Sequence, residues 1–170
     1  MLMLNLKELR AKEPVVMLIE LLIADECDSQ EIPDVAWFNE WFEIVLEEIG
    51  CLRESLEVSV RICGIEESRL LNRNYRSIDK PTNVLSFPAE LESEQFSYVL
   101  GDLVICWDLL IAESRDQHKT LLDHASHLFI HGLLHLLGYT HEEDALASQM
   151  ERVEVQTLAR RNVSDPYGDS

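Results

Sequence analysis

The chain has 170 residues, within the usual size of one domain, and its apolar content of 46% is enough for one hydrophobic core without disulfides or a structural metal. It has no Ser/Gly-rich linker, repeat or low-complexity run, which excludes a repeat protein and predicts a single domain over residues 1–170. The formal net charge of -18 argues against a nucleic-acid substrate, because a uniformly acidic surface repels phosphate.

The first third of the chain predicts a strand, a helix and a second strand. Val15–Ala24 is the most apolar stretch and predicts a buried strand, although a run this short also fits a helix segment. A helix begins after Asp34, a suitable N-cap, and ends at Gly50. Glu57–Ile65 alternates and is rich in β-branched residues, so it predicts the second strand.

The middle of the chain predicts a helix and two further strands. Glu66–Arg76 has helical spacing, with Leu70 and Leu71 facing inward and the arginines facing solvent. The strands Asn83–Phe87, which ends at Pro88, and Leu100–Trp107 flank a polar segment, Glu90–Ser97, that predicts a loop.

Three helices follow the last strand. They are predicted at about Asp108–Gln117, Leu121–Leu137 and Asp144–Arg161, and Gly138 is a natural residue to end the second of them. Strands and helices that interleave in this way predict an α/β or α+β domain with one mixed sheet of about four strands.

Two further features indicate a cytoplasmic protein with no membrane partner. The Val15–Ala24 run is too short for a membrane span and contains Glu20, and no Lys or Arg precedes Lys7 as in the basic start of a signal peptide. The four cysteines form no C-x-x-C pair and lie in or beside apolar runs, which predicts buried free thiols: Cys27, Cys51, Cys63 and Cys106.

The basic residues are concentrated in one segment, which weakens the electrostatic objection to RNA. Four of the fourteen Lys and Arg residues fall within twelve positions: Arg69, Arg73, Arg76 and Lys80. This segment indicates either a phosphate-binding surface or simply a less acidic part of the exterior, and charge alone favours the second interpretation.

The segment from His131 to His141 carries the clearest chemical signal. His131 and His135 lie four residues apart, so on a helix they share one face and can bind one metal ion at about 2.0–2.1 Å. Gly138 allows the helix to end and the chain to return, which brings His141 to the same ion. Three neutral imidazoles leave one coordination position for water, as in catalytic zinc sites.

The surroundings of this segment also favour a metal. The predicted helix is apolar nearly all round and therefore buried, and buried histidines need partners, which a shared ion supplies. The other three histidines, His118, His124 and His127, are interpreted as ordinary polar or partly buried residues.

The histidine spacing is that of the metzincin proteases, His-Glu-x-x-His-x-x-Gly-x-x-His, with one difference. Gly132 stands where those zincin enzymes carry the glutamate that acts as general base. Peptide hydrolysis by that mechanism is therefore disfavoured, although a metal-dependent hydrolase of peptides or small esters remains an alternative function.

Three blocks of the sequence resemble the YbeY family of bacterial rRNA maturation factors and single-strand-specific endoribonucleases. The resemblance is strong over about residues 57 to 141. The blocks are Leu71–Arg76 followed by Asp79–Pro88, then Gly101–Cys106, then the histidine segment His131–His141.

This resemblance implies an α+β fold around a mixed sheet, with a zincin-like helix and one Zn²⁺ ion bound by His131, His135 and His141. It implies single-strand-specific RNA cleavage, a role in maturing the 3′ end of 16S rRNA and in ribosome quality control, and ribosomal particles as partners. It also implies a functional role for Arg76. The family usually has Asp before the third histidine, where this chain has Thr140, and Glu142 or Glu143 is a candidate substitute.

Charge suggests what Arg76 does. Phosphodiester cleavage develops negative charge on the non-bridging oxygens, and a guanidinium beside a metal can stabilise it with two hydrogen bonds. Without the resemblance, Arg76 would be interpreted as a solvated helix-face arginine. Ni²⁺ or Cu²⁺ also suits three imidazoles. A non-catalytic ribosome-assembly factor with a structural metal is a further alternative, and the acidic surface suits basic ribosomal proteins as partners.

Overall fold

A computed structural model describes residues 16–27, 31–51, 55–89 and 99–168. The predicted loop Glu90–Ser97 lies outside the described residues. Four strands form one mixed sheet in the order β1-β2-β4-β3. They are β1 (Val16–Ile23), β2 (Ser55–Cys63), β3 (Val84–Pro88) and β4 (Val99–Cys106).

The strands β1, β2 and β4 are parallel, and β3 pairs antiparallel with β4 along the other edge of the sheet. Gly101 allows this pairing, because it has a φ of +132° and any Cβ at this position would collide with the carbonyl oxygen of Phe87. The mixed four-stranded sheet and the α+β class predicted from the sequence are confirmed.

Five helices complete the described fold, close to the predicted boundaries. They are α1 (Val35–Glu48), α2 (Ile65–Arg76), α3 (Trp107–Asp116), α4 (Leu121–Leu136) and α5 (Asp144–Ala159). The Asp34 side chain caps α1 by accepting a hydrogen bond from the Trp37 N–H at 3.1 Å. None of the described helices has the length and apolar character needed to cross a lipid bilayer.

The main core lies between one face of the sheet and the helices α1, α4 and α5. Alternate residues of β2, from Leu56 to Ile62, are fully buried on this face, where they meet the aromatic side chains Phe38, Phe42 and Phe129. A smaller cluster on the opposite face lies under α2 and contains Cys63, Leu85, Val104 and Cys106. All four cysteines are free thiols, as predicted. The predicted burial holds for Cys51, Cys63 and Cys106, whereas Cys27 is half-buried.

Two predictions of burial were wrong. β1 is an edge strand with one face open, so Leu18 and Leu22 are 55% and 42% exposed, and only part of the predicted buried strand is buried. Leu70 was predicted to face inward but is 46% exposed.

Polar side chains of α2 point inward instead of Leu70. Ser68 donates to the Thr82 carbonyl at 2.6 Å and accepts from the Thr82 N–H at 2.9 Å, and Asn72 donates to the Lys80 carbonyl at 2.7 Å. These bonds satisfy the backbone of the segment that leads into β3, a requirement that apolar periodicity does not register. They hold that segment along α2, from Asn72 back to Ser68 in its first turn.

Candidate metal centre

The helix α4 presents two histidines on one face, one turn apart. Its N-terminus is capped by Thr120, whose side chain accepts from the Asp123 N–H, and its end is marked by Gly138 with a φ of +91°. The chain then turns back, so that His141 lies beside His131 and His135.

The structure brings the three predicted ligands together. The Nε2 atoms of His131 and His135 are 3.1 Å apart, and the His141 ring centroid lies 5.7 Å from that of His131 and 4.9 Å from that of His135. One ring nitrogen from each of the three residues lies within 4.8 Å of the others. His131 and His135 are half-buried and His141 is exposed, so the group lies at the surface end of a buried helix.

The hydrogen bonds behind two of the rings set which nitrogen faces the cleft. His131 Nδ1 lies 2.7 Å from a Glu154 carboxylate oxygen, and His135 Nδ1 lies 3.0 Å from the Tyr139 carbonyl oxygen. A carboxylate and a carbonyl only accept, so both Nδ1 atoms carry a proton, and in the neutral form of each ring the Nε2 atom then presents a lone pair. Burial and the neighbouring His131 lower the pKa of His135, which favours the neutral form that binds metals.

This arrangement fits a metal ion. Two lone pairs 3.1 Å apart repel each other unless a cation lies between them. Nitrogens bound tetrahedrally at 2.0–2.1 Å to one ion would be about 3.3 Å apart, close to the observed spacing. The group is therefore a candidate metal-binding site by donor type, tautomer and distance.

Glu154 is a site residue that the sequence interpretation did not include. It lies on α5, is fully buried, and contacts His127 as well as His131. Burial opposes its ionisation, but hydrogen bonds from two imidazoles and the Tyr167 phenol outweigh that effect and lower the pKa of the carboxyl to about 2. The signal available in the sequence is an acidic residue within the apolar stripe of α5, which contains Met150, Val153 and Leu158.

Arg76, the predicted phosphate-binding residue, lines the same cleft as the three histidines. It is the last residue of α2, and its charge also contributes to the lowered pKa of His135. The cleft has a volume of about 250 Å³. Its other walls are the segment Thr82–Val84 with Ser86, and His127, Leu128 and Tyr167.

A second set of hydrogen bonds fixes the cleft wall. Asn83 donates to the two carboxylate oxygens of Glu113 at 3.1 and 3.3 Å, and Glu113 Oε2 lies 2.8 Å from His124 Nε2. This joins the start of β3 to α3 and α4. His124 and His127 therefore have specific carboxylate partners, whereas the sequence indicated only ordinary histidines, and His118 is exposed as expected.

Thr140 stands where the family usually has aspartate, and among the described residues neither Glu142 nor Glu143 contacts a histidine of the candidate site in its place. Glu142 and Glu143 are exposed, and the Glu142 backbone N–H donates to the Thr140 hydroxyl at 3.4 Å. The one carboxylate that contacts a histidine of the candidate site among the described residues is Glu154, behind His131.

The fold and the cleft together define a class: an α+β protein with a candidate histidine metal centre at the end of a buried helix, an arrangement that metal-dependent hydrolases use. The family model described as endoribonuclease YbeY matches residues 22–162, and the chain belongs to this family. The resemblance deduced from the sequence is confirmed, and with it the enzyme class at the level of the family.

Curated relatives and a solved structure agree with this assignment. Endoribonuclease YbeY from Colwellia psychrerythraea is 39% identical over 150 residues, which cover 88% of this chain and 96% of the relative. The protein of the same name from Halorhodospira halophila is 46% identical over 138 residues, which cover 79% of this chain and 88% of the relative. The solution structure of TM1509 from Thermotoga maritima matches with a TM-score of 0.54 and 28% identity, over 89% of this chain and all of that one.

Proposed function

We propose that this protein is a Zn²⁺-dependent endoribonuclease that cleaves single-stranded RNA and takes part in 3′-end maturation of 16S rRNA and in ribosome quality control. The observation that carries the proposal is that the three candidate ligands His131, His135 and His141 line a single cleft with Arg76 in an endoribonuclease-family chain. We propose that residues 1–170 form one catalytic domain, because β1 and α5 share one core through Ile19 and Leu158.

The ligands in this proposal are His131, His135 and His141. Zn²⁺ suits three imidazoles, and Ni²⁺ or Cu²⁺ fits the same donors. When bound, the ion would supply Lewis acidity toward a phosphate oxygen and would acidify water. The residues of the chain orient the ligands, hold the phosphate and shape the cleft.

Arg76 binds the phosphate in this mechanism. Arg69, another member of the basic segment, is paired with Asp79 at 2.9 Å, whereas Arg73, Arg76 and Lys80 have no ion pair among the described residues. Of these three, Arg76 lines the cleft. Its planar guanidinium donates two parallel hydrogen bonds to phosphate oxygens, and this stabilises the negative charge that develops during cleavage.

Tyr75 supports a single-stranded substrate. Tyr75 is 68% exposed, precedes Arg76 in α2, and packs edge-to-face on Phe87 with ring centroids 4.9 Å apart, outside the residues that line the cleft. Unpaired bases stack on such rings, whereas bases within a duplex are not available. The remaining acidic surface suits basic ribosomal proteins as partners within a ribosomal particle.

Peptide hydrolysis is disfavoured by the position of Gly132. Its Cα faces the sheet, and a Cβ there would lie 3.0 Å from Leu103 and 3.1 Å from Val84. A glutamate at this position, where the metzincins carry their general base, would therefore crowd the side chains of β3 and β4.

Chelation separates the RNA-cleaving enzyme from a non-catalytic assembly factor. Purified protein incubated with a single-stranded RNA oligonucleotide should cleave it, lose that activity after treatment with a chelator, and regain it when Zn²⁺ is restored, because the cleft residues alone lack a Lewis acid. Gel analysis of end-labelled RNA measures this. An absence of turnover in the metal-loaded protein, with binding to ribosomal particles, would favour the assembly factor.

Replacing Arg76 by glutamate tests the phosphate-binding role. We expect Arg76→Glu to lower the rate of RNA cleavage by roughly 100-fold or more, by analogy with the loss of one charge-stabilising donor in an active site. The zinc content should stay unchanged, because Arg76 is not a ligand. Single-turnover cleavage kinetics and metal analysis measure the two effects.

Arg115→Glu is the matched control for this substitution. Arg115 is exposed on α3 and does not line the cleft. Its replacement by glutamate therefore changes the net charge by the same amount, but outside the cleft. Arg115→Glu should cleave RNA at close to the wild-type rate. If Arg76→Glu also keeps that rate, Arg76 does not bind the reacting phosphate.

A further inference from the structure

Glu154 is a fully buried carboxylate with an unusual set of partners. It lies within the apolar stripe of α5, and no Lys or Arg among the described residues is within ion-pair distance of it. Burying a carboxylate is costly unless its oxygens are hydrogen-bonded, and a residue that serves only packing would not carry the charge. Its position therefore calls for a specific role.

Both carboxylate oxygens are occupied. Oε1 accepts from His131 Nδ1 at 2.7 Å. Oε2 accepts from His127 Nε2 at 3.3 Å and from the Tyr167 hydroxyl. The bond to His131 is the shortest of the imidazole contacts in the cleft, and it lies directly behind the Nε2 atom that faces His135.

We propose that Glu154 is a positioning residue that fixes the tautomer and ring orientation of His131 for metal binding, and that Tyr167 and His127 hold Glu154 in place. The proposal rests on the metal-dependent function above. An acceptor behind a ligating imidazole keeps the proton on the far nitrogen and makes the near nitrogen a better ligand. The C-terminal segment, through Tyr167, thereby becomes part of the site.

A second metal ion offers another explanation of the same cluster. Ligand atoms of His127, His131 and Glu154 also lie within 4.8 Å of one another. A second ion would need the Nδ1 lone pair of His131 while Nε2 binds the first ion, which requires that ring to lose both protons. Hydrogen bonds account for all the contacts with neutral rings, so we expect one ion per chain.

Glu154→Gln tests the positioning role with the smallest change in shape. A glutamine amide directed at His131 Nδ1 donates instead of accepting, which disfavours the required tautomer. We expect the affinity for Zn²⁺, measured by competition with a chromogenic chelator, to fall by roughly 10–100-fold. The visible absorption spectrum of the Co²⁺-loaded protein should also change, because the geometry at His131 changes.

Two more variants keep the test independent of folding. Tyr167→Phe removes only a hydroxyl that contacts Glu154 from an exposed turn, and we expect a smaller loss of Zn²⁺ affinity in the same direction. Thr157→Val is the matched control: it alters a buried polar residue of α5 whose hydroxyl bonds within the helix to the Val153 carbonyl, so Zn²⁺ affinity should be unchanged. Thermal unfolding of each apoprotein shows whether stability changes.

The outcomes separate this proposal from the function on which it rests. Wild-type Zn²⁺ affinity and Co²⁺ spectrum in both Glu154→Gln and Tyr167→Phe would overturn the positioning role, as would two metal ions per wild-type chain. Weakened Zn²⁺ binding in Glu154→Gln supports it even when the wild-type protein cleaves no RNA, in which case only the proposed function fails.

Discussion

His135→Ala is expected to remove metal binding and RNA cleavage together. His135 is the central ligand of the proposed site, because its ring centroid lies 4.7 Å from that of His131 and 4.9 Å from that of His141. Losing one of three ligands should weaken Zn²⁺ binding by more than the roughly 10–100-fold that loss of an outer partner costs. The rate of RNA cleavage should fall to that of the chelator-treated wild-type protein.

The fold should survive this substitution. Alanine is the best helix former, and His135 is only half-buried at the surface end of α4. Circular dichroism should therefore show an unchanged helix content, while equilibrium dialysis shows little bound zinc. Unchanged helix content together with little bound zinc would show that cleavage is lost because the ligand is missing and not because the protein unfolds.

His118→Asn is the matched control for histidine removal. His118 is exposed, lies outside the cleft and has a φ of +55°, a conformation that asparagine tolerates. This variant should bind zinc and cleave RNA like the wild type. Stoichiometric zinc with unreduced affinity in His135→Ala would exclude the three-histidine site.

The parts of the fold that the sequence predicted well are those set by local rules. The N-cap at Asp34, the helix ends at Gly50 and Gly138, and the alternation in β2 depend on neighbouring residues only. The predicted burial of Leu70 was wrong because polar side chains of α2 bond to the backbone of the segment that follows the helix, which the spacing of apolar residues cannot reveal.

In the candidate site, too, the sequence predicted what neighbouring residues determine and missed what tertiary contacts determine. His131 and His135 could be grouped from helical spacing, and His141 from the glycine that ends the helix, because all three lie within eleven residues. Arg76 was identified through the family resemblance, since an arginine on an exposed helix face has no distinguishing pattern. Glu154 and Tyr167 reach the site from another helix and from the turn after it, so only the tertiary structure brings them to His131.

Gly132→Glu, which restores the residue typical of the metzincin proteases, is expected to destabilise the fold without creating a peptidase. α4 packs closely on β3 and β4 at this position: a Cβ would lie 3.0 Å from Leu103 Cδ2, 3.1 Å from Val84 Cγ2 and 3.3 Å from Ser86 Oγ. Crowding and an unpartnered buried carboxyl together should cost roughly 3–5 kcal/mol. For a chain of this size, that lowers the melting temperature by about 6–20 °C.

Two companion variants separate the causes. Leu122→Glu introduces the same residue at an exposed position of α4 and should leave the melting temperature almost unchanged. Gly132→Ala adds the crowded Cβ alone, and its cost of about 1–3 kcal/mol is offset by about 1 kcal/mol of helix propensity, so its melting temperature should lie between those of wild type and Gly132→Glu. Thermal unfolding followed by circular dichroism measures all three, and a protein-hydrolysis assay should stay negative. A Gly132→Glu protein that is as stable as the wild type would contradict the expected crowding, and one that hydrolyses peptides would mean that the metzincin mechanism is open to this fold.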